Sequence, residues 1–505
     1  MAKSNFEIEL RSIAKAFGAC VANELVNLSV KKGSIHAIVG ENGAGKSTAM
    51  KILFGQFIPD SGEIFLRGEA KCWRSPADAI AAGIGMVHQH FMLAGNHTAV
   101  ENILLASKSF SLAPLDRQTA RTRLEKLLGD FHMEVELDSP VEDLPVGMQQ
   151  RIEILKLLYQ NSEILILDEP TAVLAPGEIA SLFRTLKQMA AEGKTILIVT
   201  HKLKEVMNVA DRVTVFRAGR VVAEREIAGT SVGEIASLMI GRELAKVESL
   251  RKETGTDFVL ELKGARPRDK HSRLKEISFR LRAGEILGVA GVEGNGQTEL
   301  IRLLRDPARE MGSGELSLLG KRAEKFNGSR MRAEAVGFFP EDRLAEGLLL
   351  DSPLTENFFL GKSRRPEFRR AGLLNRGAVA AATQAAIREY DVRPADVGAI
   401  VRGLSGGNQQ KLVVARELGD RPRFLLAAQP TRGVDIGAIE FIHGKLLDLR
   451  NSGAGVLLIS SELDEVLKLS DRLLVLYRGE VVGSFLKGDF NENRIGLLMA
   501  GGARE

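Results

Sequence analysis

Short apolar runs alternate along this chain with longer stretches of helical spacing. The segments SIHAIVG (34–40) and EILILDE (163–169) are apolar runs bounded by turn residues, as buried parallel strands are. In KSTAMKILFG (46–55) and QQRIEILKLL (149–158) the apolar residues recur at the spacing of a helix face. The alternation predicts an α/β fold with a mainly parallel core sheet.

Five segments of the first half recur in the second half in the same order, which indicates a duplicated domain. We predict domains over residues 1–245 and 257–505, joined by a polar linker at residues 246–256. The matched pairs are VGENGAGKST (39–48) with AGVEGNGQTE (290–299), LPVGMQQRIEILKLL (144–158) with LSGGNQQKLVVAREL (404–418), ILILDEPTAVLA (164–175) with FLLAAQPTRGVD (424–435), ILIVTHKLKEV (196–206) with VLLISSELDEV (456–466), and ADRVTVFRAGRVV (210–222) with SDRLLVLYRGEVV (470–482).

Composition narrows the class of protein. The formal net charge of +4 is small for 505 residues and no dense basic tract stands out, which argues against a nucleic-acid partner. Cys20 and Cys72 form no close pair, so a disulfide framework or thiolate metal site is not expected. The N-terminus has no apolar core of signal-peptide length, and no apolar run approaches the ~20 residues of a membrane helix. If this protein works at a membrane, we expect other chains to hold it there.

The segment GENGAGKS (40–47) matches the phosphate-loop pattern G-x-x-x-x-G-K-[ST]. It follows a predicted strand and opens a predicted helix, which is the context that distinguishes the motif from a chance glycine turn. Its glycines let backbone N–H groups and the helix N-terminus face an anion. Lys46 adds a cation at the β- and γ-phosphates, and the Ser47 hydroxyl can bind Mg²⁺.

Two acids follow the predicted strand at 164–167. Asp168, at the carboxyl end of that strand, is placed to hold Mg²⁺. Glu169 is placed to polarise an attacking water. The alternative is a surface acid pair after a strand, but the phosphate loop upstream favours nucleotide chemistry. Together the two motifs predict a P-loop nucleoside triphosphatase.

Three further features resemble the ATP-binding cassette (ABC) ATPases. LSGGNQQK (404–411) is similar to the signature motif of that family. Gln89, in MVHQHF (86–91), and His201, in VTHK (199–202), stand where the family has its glutamine loop and its switch histidine. A single Gln or His is more often structural, but this order along the chain favours the functional assignment. The chain resembles a fused tandem ABC ATPase over almost its whole length.

The resemblance implies the fold, the nucleotide and the residues that bind it. Each half is expected to have a mainly parallel core sheet, an antiparallel β portion and a helical subdomain, with ATP as nucleotide and Mg²⁺ as cofactor. Glu169, His201 and Gln89 are the expected catalytic residues, and Ser47, Gln89 and Asp168 the expected Mg²⁺ ligands. The residues expected to bind ATP are Phe17, Gly40, Glu41, Asn42, Gly43, Ala44, Gly45, Lys46, Ser47, Thr48, Ser405, Gly406, Gly407 and Asp435.

Phe17 stands where the family has an aromatic residue that stacks on adenine; the alternative is a core phenylalanine on an edge strand. Within the family, the chain resembles the two-cassette subunits of sugar and nucleoside importers. The segments MVHQHFMLAGNHTAVENILL (86–105) and FFPEDRLAEGLLLDSPLTENFFLG (338–361) are similar to the nucleoside branch.

The second half has lost most of the nucleotide chemistry. Lys46 corresponds to Gln297, Gln89 to Glu341, Asp168 to Ala428, Glu169 to Gln429 and His201 to Ser461. Phe17 has no clear counterpart, while Thr298 and the glycines are kept. We expect weaker nucleotide binding there, because a cation is lost and an acid is added.

The signature motif shows the opposite imbalance. The second half keeps Ser405, Gly406 and Gly407, whereas the first half has Pro145, Val146 and Gly147; likewise Asp435 corresponds to Ala175. In the family, the halves pair head to tail and each ATP lies between one phosphate loop and the opposite signature. That arrangement would place the intact first phosphate loop opposite the intact second signature, and the depleted second loop opposite the depleted first signature. One complete and one depleted site would result.

The resemblance implies an ATPase that couples hydrolysis at one site to uptake of a nucleoside or simple sugar. Its expected partners are two integral-membrane permease subunits and an extracytoplasmic solute-binding protein or lipoprotein, with no nucleic acid. The expected location is the cytoplasmic face of the inner membrane. The alternatives are a soluble tandem ATPase acting on the ribosome or DNA, an exporter subunit, and a regulatory module without turnover. The short linker and the depleted site weigh against the first, and Asp168, Glu169 and His201 against the last.

Overall fold

The chain divides by its internal contacts into two units, Met1–Ala245 and Lys246–Glu505. Of the expected linker, residues 246–254 lie outside the described part of the chain. The computed structural model describes residues 6–18, 20–89, 91–106, 117–171, 174, 176–241, 255–292, 294–363, 365–370, 373–499 and 501.

The first unit contains an antiparallel sheet of order β2-β1-β4-β5 and a six-stranded sheet of order β10-β9-β3-β8-β7-β6. All neighbours in the second sheet are parallel except β9 and β10. The strands are β1 (Phe6–Phe17), β2 (Cys20–Lys31), β3 (Ile35–Gly40), β4 (Ser61–Leu66), β5 (Glu69–Lys71), β6 (Ile84–Val87), β7 (Ile164–Asp168), β8 (Thr195–Thr200), β9 (Arg212–Arg217) and β10 (Arg220–Glu226).

Helices cover both faces of the parallel sheet of this unit, and α3, α4 and α5 pack on one another as a helical subdomain. The helices are α1 (Lys46–Leu53), α2 (Pro76–Ala81), α3 (Ala99–Ala106), α4 (Arg117–Asp130), α5 (Val146–Tyr159), α6 (Pro176–Ala191), α7 (Leu203–Val209) and α8 (Val232–Ile240).

The central strands are apolar throughout because the sheet is covered on both sides. Every residue of β3, β7 and β8 is buried. Along β7, Ile164 and Ile166 pack into the core that contains α1, while Leu165 and Leu167 pack into the core that contains α5 and α6. Because these strands are parallel, their carboxyl ends meet at one edge of the sheet, which positions the loops that carry the polar motifs.

The second unit repeats this architecture. Its sheets have the orders β12-β11-β14-β15 and β16-β19-β20-β13-β21-β22, and β17 and β18 form a separate two-stranded antiparallel sheet. The strands are β11 (Phe258–Pro267), β12 (Ile277–Arg282), β13 (Ile286–Ala290), β14 (Met311–Leu318), β15 (Lys321–Arg322), β16 (Val336–Phe339), β17 (Arg369–Arg370), β18 (Leu373–Leu374), β19 (Phe424–Ala428), β20 (Gly455–Ser460), β21 (Arg472–Tyr477) and β22 (Glu480–Leu486).

The helices of the second unit follow the same order, with α12, α13 and α14 forming its helical subdomain. They are α9 (Gln297–Arg305), α10 (Pro307–Glu310), α11 (Gly328–Ala333), α12 (Leu354–Phe359), α13 (Arg376–Glu389), α14 (Gly406–Leu418), α15 (Ile436–Asn451), α16 (Leu463–Leu469) and α17 (Glu492–Met499). The expected fold class, with a mainly parallel sheet, an antiparallel sheet and a helical subdomain in each half, is confirmed. Within the described ranges, none of the helices combines the length and the apolar character that crossing a membrane requires.

Candidate nucleotide-binding sites

The phosphate loop of the first unit connects β3 to α1. Gly45, the residue before α1, has a φ of 95°. A β-carbon at Gly45 would overlap the carbonyl oxygen of Ala22 and the Asn23 side chain, so this position needs glycine for both its backbone angle and its space. The Asn23 amide also donates to the Gly45 carbonyl, at 3.0 Å. The neighbouring strand β2 therefore helps to hold the loop in shape.

Lys46, the first residue of α1, is buried beneath this loop. Its Nζ donates to the carbonyl oxygens of Gly40, at 2.7 Å, and Glu41, at 2.9 Å. Burial lowers the pKa of Lys46, and the nearby charges of Glu169, Asp168 and Glu41 partly oppose that shift. A buried ammonium at a helix N-terminus is suited to bind an anion such as a phosphate.

A hydroxyl and a carboxylate meet next to Lys46. The Ser47 Oγ donates to Oδ1 of Asp168 at 3.3 Å, and burial raises the pKa of Asp168. Both groups offer oxygen ligands of the kind that Mg²⁺ prefers. The described residues contain no group of three or more His, Cys, Asp or Glu side chains placed to hold a metal ion. The pair therefore fits a cation that takes its remaining ligands from phosphate oxygens and water.

Glu169 has an unusual backbone for its residue type. Its φ is 52°, in the left-handed region, and its N–H donates to the carbonyl oxygen of Val199 at 2.8 Å. Strain of this kind is found at functional sites, where it aims a side chain. One carboxylate oxygen, Oε1, lies 2.8 Å from Nδ1 of His201. The other, Oε2, is buried and has no protein partner among the described residues. It is free to accept a hydrogen bond from water.

Gln89 and Phe17 are more exposed to solvent than Lys46 and Asp168. Gln89 is exposed and follows β6 by two residues; because Val87 pairs with Leu167 in parallel register, Gln89 lies at the same sheet edge as Asp168. The Phe17 ring is 46% exposed and stands edge-to-face on Phe57 at 5.2 Å. Phe17 is thus not a core residue, and its exposed ring is open to stacking.

The phosphate loop of the second unit keeps the backbone of the first. Gly296, the residue before α9, has a φ of 107°, and Gln297 is buried where the first unit has Lys46. The amide oxygen of Gln297 has no partner among the described residues. The Thr298 hydroxyl donates to Oε2 of Glu341 at 2.9 Å. Glu341 thus supplies the carboxylate contact that Asp168 makes in the first unit.

The second unit also keeps the strained backbone after β19. Gln429 has a φ of 45°, and its N–H donates to the carbonyl oxygen of Ile459 at 2.7 Å. Its amide oxygen accepts hydrogen bonds from the backbone N–H and the hydroxyl of Ser461, both at 3.1 Å. The polypeptide path therefore survives while the carboxylate and the imidazole are gone.

The two signature segments begin their helices differently. The Ser405 hydroxyl caps α14 and accepts a hydrogen bond from the Asn408 side chain at 3.0 Å. A β-carbon at Gly407 would overlap the Asp435 carboxylate, which itself caps α15. In the first unit, α5 begins after Pro145 without a side-chain cap, as expected for a proline that starts a helix. Ala175 lies outside the described residues.

Comparison with known proteins gives this architecture a family. The family model described as ABC transporter matches residues 24–172 and again residues 274–432. The chain belongs to the ABC transporter family. It is an ABC ATPase with two fused cassettes, and ATP is its nucleotide.

Relatives are similar over the full length. A guanosine import ATP-binding protein of Bacillus subtilis is 43% identical over 99% of this chain and 98% of its own. A nucleoside import ATP-binding protein of Lactococcus lactis is 42% identical over 98% of each chain. A glucose import ATP-binding protein of Haloferax volcanii is 40% identical over 98% of this chain and 96% of its own.

The first cassette also contains a buried contact that was not predicted from the sequence. The amide of Gln150, in α5, donates to the carbonyl oxygen of Pro170, the residue after Glu169. This bond ties the signature helix to the loop that carries the acids. A signal was present, since the pair Gln-Gln recurs at 149–150 and 409–410 within matched segments.

Proposed function

We propose that this chain hydrolyses ATP at one complete site to drive import of a nucleoside through separate membrane permease subunits. The observation that carries the proposal is a sequence identity above 40%, over the full length, to guanosine and nucleoside import ATP-binding proteins. The first cassette of the chain brings Asp168, Glu169 and His201 together, and the second has none of the three at the corresponding positions. The catalytic assignments rest on the geometry of that cassette.

Each side chain of the complete site has one task. Phe17 stacks on adenine, and the loop from Gly40 to Thr48 holds the phosphates with the Lys46 cation. Ser47, Asp168 and Gln89 would hold Mg²⁺, which supplies positive charge at the phosphate oxygens. Glu169 accepts a hydrogen bond from the attacking water through Oε2.

His201 contributes orientation to the reaction. Its Nδ1 contacts Glu169, so the opposite ring nitrogen, Nε2, can face the γ-phosphate. Phosphoryl transfer depends mainly on positioning and charge stabilisation, which this small set of groups can supply. The same reasoning leaves the second cassette without turnover, because Gln429 is no base, Ser461 has no imidazole and Gln297 carries no charge.

The signature of the second cassette completes the site in this proposal. Ser405, Gly406 and Gly407, with Asp435, face the γ-phosphate bound by the first cassette when the two pair head to tail. The support is the way the losses are distributed. The second phosphate loop and the first signature are both depleted, and head-to-tail pairing would place them in the same site.

The proposed assembly places the chain at the cytoplasmic face of the inner membrane. Its partners there are two permease subunits, and an extracytoplasmic solute-binding protein or lipoprotein delivers the solute. Opening of the paired cassettes after hydrolysis would be the movement passed to the permease. A soluble ATPase acting on the ribosome or DNA is not favoured, because full-length relatives at 40–43% identity are import proteins.

A transport assay tests the proposal and its choice of solute. The chain is reconstituted with its permease and binding protein, and uptake of guanosine, ribose and glucose is measured with ATP inside the vesicles. We expect guanosine uptake, and no uptake with the Glu169→Gln variant. Uptake of glucose or ribose alone would move the assignment to the sugar branch. ATP hydrolysis without any transport would favour the soluble alternative.

A further inference from the structure

Arg343 reaches across the second cassette from a short π-helical turn, Arg343–Gly347, to the loop that precedes α15. One terminal nitrogen, Nη1, donates to the carbonyl oxygen of Arg432 at 2.5 Å. The other, Nη2, donates to the carbonyl oxygen of Gly433 at 3.2 Å. The guanidinium thus spans two successive carbonyls of the loop that leads to Asp435.

The same guanidinium lies against the signature. A β-carbon at Gly406 would stand 2.8 Å from Nη2 of Arg343 and 2.9 Å from the carbonyl oxygen of Gly433. The next residue, Gly407, packs against the carboxylate of Asp435 in the same way. Arg343 is therefore packed together with both segments that we assign to the γ-phosphate.

The two hydrogen bonds anchor the carbonyls of Arg432 and Gly433 to the π-helical turn. Burial lowers the pKa of Arg343, and its Nε is buried without a partner among the described residues. An arginine remains charged even so, because its ordinary pKa is so high. Its planar, forked donors make charge-assisted hydrogen bonds that specify direction, which a lysine cannot reproduce. Holding two adjacent carbonyls sets the orientation of the peptide units before Asp435.

The sequence of the first cassette has no arginine at the corresponding position. Phe91 stands two residues after Gln89, as Arg343 stands two residues after Glu341, and Val146 stands where the second cassette has Gly406. The arginine is found in the half with the intact signature and is missing from the half that has lost it. The contacts of Arg343 with the Gly433 carbonyl and the backbone of Gly406, together with this distribution, tie it to the signature.

We infer that Arg343 is a positioning residue for ATP hydrolysis, holding Ser405–Gly407 and Asp435 in the arrangement that closes on the γ-phosphate. This inference rests on the proposed function, in which the second signature serves the first phosphate loop. Arg343 touches neither ATP nor the reacting atoms; it acts through the signature and the Asp435 loop.

The test compares Arg343→Met and Arg343→Lys with a matched control, Arg305→Met. Misplaced groups can lower turnover about 100-fold, so we expect Arg343→Met to lower kcat by between ten- and 100-fold. The ATP Kd, measured without turnover, should stay within about twofold, because the first cassette binds the nucleotide. Arg343→Lys should recover part of kcat. Arg305, at the end of α9, forms an exposed ion pair with Glu346 of the π-helical turn. Loss of this ion pair should change kcat less than about twofold.

A double-mutant cycle with Ser405→Ala separates positioning from general destabilisation. If Arg343 acts through the signature, Arg343→Met should cost little further kcat once Ser405 is altered. Additive losses, or a lowered Tm with a weakened ATP Kd, would overturn the inference. If Arg343→Met has a normal kcat while Ser405→Ala is impaired, the inference about Arg343 is overturned and the proposed function stands. A normal kcat for Ser405→Ala would instead contradict the head-to-tail proposal.

Discussion

Replacing Glu169 with Gln is expected to lower ATP turnover by at least about 100-fold, the contribution of a well-placed general base. The substitution keeps the shape of the side chain and removes only its ability to take a proton. The second cassette indicates that the backbone tolerates it, because Gln429 has a φ of 45° where Glu169 has 52°. Folding and ATP binding should be preserved, so phosphate release by the purified transporter reports the chemistry directly.

The matched control for this variant is Gln429→Glu in the second cassette. It creates a carboxylate on the same strained backbone, yet Ala428 and Gln297 still leave that site without the acid and the cation of the first. We expect it to restore little turnover to the Glu169→Gln chain. Phosphate release above about a tenth of the wild-type rate in Glu169→Gln would exceed what a lost general base allows and would contradict the one-site account.

Replacing Ser405 with Arg is expected to abolish hydrolysis, whereas Pro145→Arg should leave turnover nearly unchanged. Ser405 is exposed at the start of α14, and the bulky cation would occupy the space that the γ-phosphate needs. Pro145 stands at the corresponding point of α5 and is also exposed, so both substitutions add the same side chain at the same kind of helix start. The difference between them isolates the role of each signature.

Steady-state ATPase rates and thermal unfolding of both variants provide the measurement. Loss of the Ser405 cap should cost about 1 kcal/mol of stability, which is too little to explain an inactive enzyme. Equal inhibition by both substitutions would contradict the assignment of the second signature to the active site. Inhibition by Pro145→Arg alone would reverse the assignment.

The sequence predicted the architecture well because its central strands are buried on both faces. Apolar runs such as IHAIVG in β3 and ILILD in β7 predict buried strands directly, and the glycine pattern between β3 and α1 identifies the phosphate loop. The repeat then placed the degenerate motifs, since each one is flanked by segments that match. The architecture and the positions of the degenerate motifs both depend on local sequence patterns, so a single sequence is enough to predict them.

Side-chain pairing across elements could not be predicted in this way. Glu341 was expected only to add negative charge, yet its carboxylate accepts a hydrogen bond from Thr298, some forty residues away along the chain. Arg343 was not singled out, because its partners are backbone carbonyls of Arg432 and Gly433, which leave no trace in residue identity. The left-handed backbone of Glu169 is likewise fixed by its neighbours in the sheet.

The central claim is that one ATP is hydrolysed between the first phosphate loop and the second signature. Vanadate trapping of a photoreactive ATP analogue in the assembled transporter, followed by peptide mapping, tests it most directly. The account predicts one trapped nucleotide per chain, with label on the peptides that contain Lys46 and Ser405. Two trapped nucleotides per chain, or label on the peptides that contain Gln297 and Pro145, would contradict it.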